Sequence, residues 1–224
     1  MSDIFAVYKP KGPTSRQVLN QIQKITRSRK VGHAGTLDPL AEGVLVVGIG
    51  REATKQLATA VQKEKEYLAK IRLGMISSTD DEEGIKKYEG TGQCPVRTEN
   101  IEKVIKKFVG KIMQTPPVYS AVKIKGREAY KRARKGEEVK MRPRAVEIKK
   151  IEILKYKWPY LEIKVVTGPG VYIRSLARDI GRELKTGGYL AGLIRTRVGE
   201  FDIKKAVEID KIGICNFMQN PVII

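Results

Sequence analysis

The sequence predicts an α+β protein, and three observations carry that expectation. Stretches with an apolar residue every three or four positions read as helices. Stretches that alternate strictly, or are apolar throughout, read as strands with one or two covered faces. The two kinds are intermixed along the chain, and several extended stretches are separated by turn residues suited to hairpins. The length of 224 residues fits one large domain, or one domain with a small appendage, and 41% apolar residues can bury a sizeable core.

Taken in order, residues 4–8 read as a short strand that stops at the turn Lys9-Pro10-Lys11-Gly12-Pro13. Thr14 and Gln17 have capping-box spacing, and Val18, Leu19, Ile22 and Ile25 then recur at helical spacing. Residues 32–43 are a glycine-punctuated loop, and 43–49 a continuous apolar run of the buried-strand type. A short helix is expected over 53–61. Residues 66–73 alternate, with Tyr67, Ala69, Ile71 and Leu73 on one face. Thr98 is placed to cap a helix carrying Ile101, Val104, Ile105 and Phe108. Residues 146–154 and 161–166 form a strand pair, ended by Gly168-Pro169-Gly170. A helix over about 174–184 and a last strand over 190–198 complete the reading. There is no internal repeat and no low-complexity tract.

Charge restricts the partners. Lys and Arg number 44 against 25 Asp and Glu, a formal charge of +19, which favours a polyanion. A thermophile surface would account for many charges but usually carries both signs. Residues 121–150 hold twelve Lys or Arg against four Glu, with a helix expected over 127–135 and stopped by Gly136. That run is either a solvated basic helix or a phosphate-contacting element, and its share of the whole imbalance favours the second. The longest apolar run, 44–49, is far short of the ~20 residues of a spanning helix. Residues 1–5 show no signal-peptide pattern. Cys94 and Cys215 lack metal-ligand spacing, and one histidine makes a zinc site hard to build. A cytoplasmic, reduced, metal-free protein is expected.

The stretch Val31-Gly32-His33-Ala34-Gly35-Thr36-Leu37-Asp38-Pro39-Leu40-Ala41-Glu42-Gly43 holds the only histidine and an aspartate before a proline. A residue before proline is pushed out of the helical region, so Asp38 sits on extended or turn backbone. Three glycines within 32–43 permit close approach of another chain. Spacing alone does not separate a functional loop from an ordinary connection.

Gly32 to Gly43 resembles the catalytic motif of the TruB family of RNA pseudouridine synthases, in the form of the bacterial stand-alone enzymes. Other segments resemble the family's motifs in the same order, over residues 4 to about 203. These are Val7-Tyr8-Lys9-Pro10-Lys11-Gly12-Pro13-Thr14-Ser15, Lys65-Glu66-Tyr67 with Leu73-Gly74 and Thr79-Asp80, Pro117 to Lys123 with Gly126-Arg127, Gly170 to Gly181, and Leu193-Ile194-Arg195-Thr196.

The resemblance implies a pseudouridine synthase fold: a mixed, mostly antiparallel sheet with flanking helices and a basic RNA-gripping insertion. It implies a catalytic domain over 1–205, with the insertion at about 114–144. Residues 206–224 would be a short extension, too short for the C-terminal PUA-type RNA-binding domain usual in the family. Val171 stands where the family commonly has a hydroxyl residue.

The implied reaction breaks an N-glycosidic bond, turns the uracil and joins it through C5. Asp38 is the implied nucleophile, ionised at neutral pH as an ordinary Asp is. Arg174 is its implied counter-ion; an arginine in a helix's first turn opposes the dipole, which a partner anion would explain. Tyr67 would stack on the uracil and act as base toward the C5 proton. Tyr172 would wall the pocket, Leu193 cover it, and Lys9 and Pro10 shape its floor. His33 would occupy the space left by the flipped nucleotide. Lys123, Arg127, Lys131 and Arg132 are the expected RNA contacts of the insertion. A single catalytic Asp distinguishes this site from a glycoside hydrolase.

The expected activity is therefore formation of pseudouridine in the tRNA T-loop, at position 55 in the family. The expected enzyme is a monomer acting on the T-stem-loop without cofactor, metal or membrane. Two other readings remain: a guide- or partner-dependent pseudouridine synthase, and a non-catalytic RNA-binding or RNA-folding module.

Overall fold

The structure, a computed structural model, describes residues 3–89, 95–124 and 126–213. In chain order it begins with β1 (Asp3–Lys9), α1 (Ser15–Thr26), β2 (Val31–Ala34), β3 (Ala41–Ile49), α2 (Arg51–Val61) and β4 (Lys65–Leu73). It continues through β5 (Met75–Ser77), β6 (Lys86–Tyr88), α3 (Thr98–Lys106), β7 (Gly110–Gln114), β8 (Lys123–Ile124), β9 (Arg127–Glu128) and α4 (Ala129–Ala133). It ends with β10 (Arg144–Lys157), β11 (Tyr160–Thr167), α5 (Ile173–Glu183), β12 (Gly188–Val198), β13 (Phe201–Asp202) and two 3-10 turns, Ile203–Lys205 and Ile209–Gly213. The class is α+β, as the patterning predicts.

The chain divides into two compact units. One takes the residues up to Leu68 and those from Leu193 onward; the other is Ala69–Gly192. The span expected as one catalytic domain, 1–205, contains residues of both.

In the first unit the strand order is β1-β3-β12-β4, with β2 also on β3 and β13 on β12. β1 runs antiparallel to β3, from Asp3↔Ile49 to Lys9↔Gly43. β12 runs parallel to it, pairing Leu193↔Ala41 and Arg195↔Gly43. The apolar run of β3 has a plain cause. Leu45 and Val47 pack with Val18, Leu19 and Ile22 of α1 and with Ile212, while Val44 and Val46 pack with Leu57 and Ala60 of α2. A strand covered by a helix on each face must be apolar at every position. The Thr14 capping box forms: Gln17 N donates to Thr14 Oγ1 at 3.1 Å and Thr14 N to Gln17 Oε1 at 2.7 Å.

In the second unit the order is β12-β4-β11-β10-β7. β10 and β11 form a long antiparallel pair with bulges near Ile148 and Ile153. β7 pairs antiparallel with β10 from Arg144↔Gln114 to Ile148↔Gly110. The alternation of β4 is realised: Tyr67, Ala69, Ile71 and Leu73 are buried. Leu176 and Ile180 of α5 are buried as well.

Three expectations are corrected. The loop expected over 32–43 is shorter, because Val31–Ala34 is strand and pairs with β3, placing His33 opposite Val47. The helix expected over 127–135 is only Ala129–Ala133, because Arg127 and Glu128 are held extended in a ribbon with Ile124 and Lys123. Thr98 is the first helical residue rather than the cap; Arg97 takes the N-cap place and supplies no side-chain bond. Cys94, Cys215 and residues 214–224 of the expected extension lie outside the described residues. Among the described residues no helix is long and apolar enough to cross a membrane.

Candidate active site

Asp38 sits in the six residues that join β2 to β3, and the loop is fastened on several sides. Leu37 and Leu40 are buried, anchoring the backbone before and after it. Ser15, the first residue of α1, donates to the Leu37 carbonyl and accepts from the Leu37 amide, both at 2.9 Å. Gly12 N donates to the Pro39 carbonyl at 2.8 Å. Lys9, at the end of β1, is fully buried, and its Nζ donates to the carbonyls of Ala41 at 2.6 Å and Pro10 at 3.0 Å. Burial lowers the Lys9 amine to about 8, against the pull of Asp38 and Glu42. Lys9 thus braces the far end of the loop through Ala41, and its ammonium is not presented to solvent.

One residue that the sequence places in a motif but gives no role organises this region. Arg195 of β12 is 1% exposed. Its Nε donates to the Val44 carbonyl at 2.8 Å and its Nη2 to the Gly35 carbonyl at 2.9 Å. The guanidinium therefore grips both flanks of the Asp38 loop. Gly35 has φ 82°, and a β-carbon there would stand 3.5 Å from Arg195 Nη1. Gly43, with φ 103°, closes the loop where a β-carbon would fall 2.3 Å from the Arg195 carbonyl oxygen.

The same guanidinium lies within hydrogen-bonding reach of the Tyr67 hydroxyl and close to the Asp38 charge. Burial pushes the Tyr67 phenol up, Arg195 pulls it back, and Asp38 raises it further, so the hydroxyl is protonated at neutral pH. Lys65 is the third buried cation. It is lowered to about 8 by burial and then by Arg195, and its Nζ donates to the carbonyls of Val61 and Lys63 at 2.7 and 2.8 Å. His33, half-buried on β2, is held below its ordinary pKa by burial, Arg195 and Arg16, so its imidazole is neutral at pH 7. Its Nδ1 has no hydrogen-bond partner among the described residues. Leu193, two residues before Arg195, is buried opposite Ala41.

The structure thus gathers Lys9, His33, Asp38 and Tyr67 in the first unit around Arg195, with Leu193 two residues away on the same strand. A signal for Arg195 existed: it alternates with Leu193 on a predicted strand, where an inward position normally carries an apolar residue.

Tyr172 and Arg174 belong to the second unit. Tyr172 is the N-cap of α5, and Arg174 lies in the first turn, as the spacing predicts. Arg174 is 5% exposed. Its Nη1 reaches Asp81 Oδ2 and the Thr79 carbonyl, both at 3.3 Å, and its Nη2 the Tyr119 carbonyl at 2.8 Å. Asp81 also accepts from the Thr79 hydroxyl and from Glu83 N. One turn on, Arg178 Nη1 meets Asp80 Oδ2 at 2.6 Å. These aspartates are a second set that the sequence reading did not assign.

On the basic insertion, Lys123 and Arg127 are exposed on the β8–β9 ribbon. Lys131 pairs with Glu128 at 3.0 Å and Arg132 with Glu137 at 2.6 Å. Part of the charge counted in the sequence is therefore balanced locally.

Residues 23–173 match the family model described as the TruB family pseudouridylate synthase N-terminal domain. The chain belongs to the TruB family. The "tRNA pseudouridine synthase B" of Clostridium tetani is 43% identical over 219 residues, covering 98% of this chain and 75% of that one. The protein of the same name from Corynebacterium aurimucosum is 44% identical, covering 94% and 72%. Among solved structures, the TruB-family chain resembles one titled a Cbf5-Nop10-Gar1 complex, with TM-score 0.71 and 31% identity. It also resembles an H/ACA RNP bound to a substrate RNA containing 2'-deoxyuridine, with TM-score 0.69 and 28% identity. It spans about half the length of those two solved chains, 52% and 51%, and 93% of its own. The α+β arrangement is thus the pseudouridine synthase fold of the TruB family.

Proposed function

We propose that this protein isomerises uridine to pseudouridine in the T-loop of tRNA, at position 55 in the family, with Asp38 as nucleophile. The observation that carries the reading is the fastened loop around Asp38, with Arg195 and Tyr67 beside it. It agrees with family membership and with the names of relatives that the chain matches over nearly its whole length.

In this scheme the target nucleotide is flipped out of the RNA, and His33 stands in its place. The Asp38 carboxylate attacks the ribose C1′ as the bond from C1′ to N1 breaks, the uracil turns, and C5 bonds to C1′ as the bond to Asp38 breaks and frees the carboxylate. The proton on C5 leaves to Tyr67, the assigned base, whose phenol gives up its own proton in exchange, and N1 gains a proton, so the product is an isomer of the substrate. A carboxylate held in a rigid loop loses little freedom on reaching the attacking geometry. The neutral imidazole of His33 suits contact with a base edge rather than with phosphate. Tyr172 and Arg174 keep the roles that the resemblance gives them, and Leu193 that of an apolar cover. Lys123, Arg127, Lys131 and Arg132 contact the T-stem-loop. The enzyme is assigned as a cytoplasmic monomer.

Tritium release from C5-labelled uridine in a tRNA transcript tests the proposal. Wild-type protein should release label and Asp38→Asn should not, with tRNA still bound by both. Bound, intact tRNA with no release from the wild type would refute it. The likeness to structures titled as Cbf5 complexes favours one second reading, a partner-dependent pseudouridine synthase. Activity of the purified chain on free tRNA would exclude that reading.

A further inference from the structure

The basic insertion leaves the second unit's sheet at one rung. Gln114, the last residue of β7, and Arg144, the first of β10, face each other in the antiparallel register. Both turn to the three residues ahead of α5. Gln114 is buried, and its amide bonds Tyr172 in both directions. Oε1 accepts from Tyr172 N–H at 2.8 Å, and Nε2 donates to the Tyr172 carbonyl at 3.1 Å. Arg144 Nη2 donates to the Gly170 carbonyl at 2.6 Å, and its guanidinium carbon lies 5.0 Å from the centroid of the Tyr172 ring. The next residues of the insertion continue the pattern. The Thr115 carbonyl accepts from Ser175 Oγ and Arg178 Nη2, both at 2.8 Å, and the Tyr119 carbonyl from Arg174 Nη2.

From these contacts we infer that Gln114 and Arg144 are positioning residues: the neck of the basic insertion sets the backbone and ring of Tyr172 and, through the first turn of α5, the guanidinium of Arg174. A buried amide needs a donor and an acceptor to answer it, and Tyr172 backbone supplies both, as a neighbouring strand would. Tyr172 is an N-cap without a side-chain capping bond, on extended backbone at φ −103° and ψ 115°, so the start of α5 depends on outside partners. A cation over an aromatic face orients the ring. Purely structural roles at 114 and 144 would not require both residues of one rung to converge on one tyrosine. The consequence is that RNA held by the insertion bears on the placing of Tyr172 and Arg174 through the rung itself. The inference rests on the functional reading above for the roles of Tyr172 and Arg174, but not for the clamp.

The experiment compares the full wild-type chain with Gln114→Leu, Gln114→Glu and Arg144→Met. Amide exchange at Tyr172, read by NMR, should quicken by roughly tenfold or more in Gln114→Leu, where the acceptor is lost. It should stay slow in Gln114→Glu, which keeps that acceptor. Single-turnover tritium release from tRNA should fall by roughly 10- to 100-fold in Gln114→Leu and Arg144→Met, with Gln114→Glu between them and wild type, while tRNA affinity stays within about twofold. Unchanged exchange in Gln114→Leu overturns the clamp. Full release in Arg144→Met, or a loss confined to affinity, overturns the positioning role. Should Gln114→Leu not fold, Gln114→Glu and Arg144→Met decide it, since the first keeps the acceptor while exchanging the donor for a carboxylate oxygen and the second changes a half-exposed residue. A wild type inactive on tRNA would defeat the functional reading, and the exchange experiment would still judge the clamp.

Discussion

Arg195 donates to the carbonyl of Gly35 at 2.9 Å across 160 residues of sequence. With its second bond, to Val44, it answers two backbone acceptors on opposite flanks of one loop. Arg195→Met should therefore destabilise the protein by roughly 1–3 kcal/mol for each acceptor left buried and unanswered. Single-turnover activity should fall by about 100-fold as the Asp38 loop loses its setting. Arg195→Lys keeps the charge but lacks the planar fork whose separate nitrogens reach Val44 and Gly35, and should lie between. Urea unfolding beside tritium release checks both, and an Arg195→Met protein of wild-type stability would refute the assigned grip.

His33 is the only histidine, so one imidazole titration is visible by NMR. Its midpoint should lie below 6.5, because burial and the charges of Arg195 and Arg16 oppose protonation. A base with a depressed folded pKa binds fewer protons folded than unfolded. Its contribution to stability is thus full above 6.5 and is lost as pH falls from there through the folded value. In Arg195→Met the midpoint should move up. An unshifted midpoint there would show that the guanidinium does not act on His33.

Tyr67→Phe keeps the ring and removes the hydroxyl. Under the proposed role it should lower the single-turnover rate by about 10²–10⁴-fold and leave tRNA binding unchanged. A rate within a few fold of wild type would leave Tyr67 as a stacking wall alone.

Asp81→Ala breaks a buried ion pair. Such losses typically cost about 3–5 kcal/mol, and the low end is expected because Arg174 keeps the carbonyls of Thr79 and Tyr119. Chemical denaturation measures it, and a negligible change would mean that the carboxylate adds nothing to what the carbonyls provide.

Removing Lys123 and Arg127 together should flatten the dependence of tRNA affinity on salt by roughly one unit of slope for each phosphate no longer neutralised. Lys131→Ala should matter less, since Lys131 is already paired with Glu128. Equal effects would show that the pair opens when RNA binds.

The features legible in the sequence are those decided by neighbours along the chain. The Thr14 capping box, the alternation of β4 and the doubly covered run of β3 all follow from local spacing. The stretch after Gly126 failed for the complementary reason. Gly126, at φ 82°, leads into Arg127 and Glu128, which pairing with Ile124 and Lys123 holds extended although their residue types suit a helix. Arg195 and Asp81 carry no role in the sequence reading because what defines them is remote. Arg195 is explained by carbonyls 151 and 160 residues away, and Asp81 by a guanidinium 93 residues on. Patterning treats an inward charge on a strand as an exception, and only the folded chain supplies its partners.

Gly43 carries a consequence for how this protein can vary. Alanine, the smallest step available, would put a methyl group where the Arg195 carbonyl already stands, on backbone that L-residues rarely adopt. A saturation library at this position should return glycine alone among folded members. Attempts to retune RNA choice by loop redesign must then work inside residues 35–42, with the closing position fixed. Two segments far apart in sequence are keyed to each other by an atom that is missing.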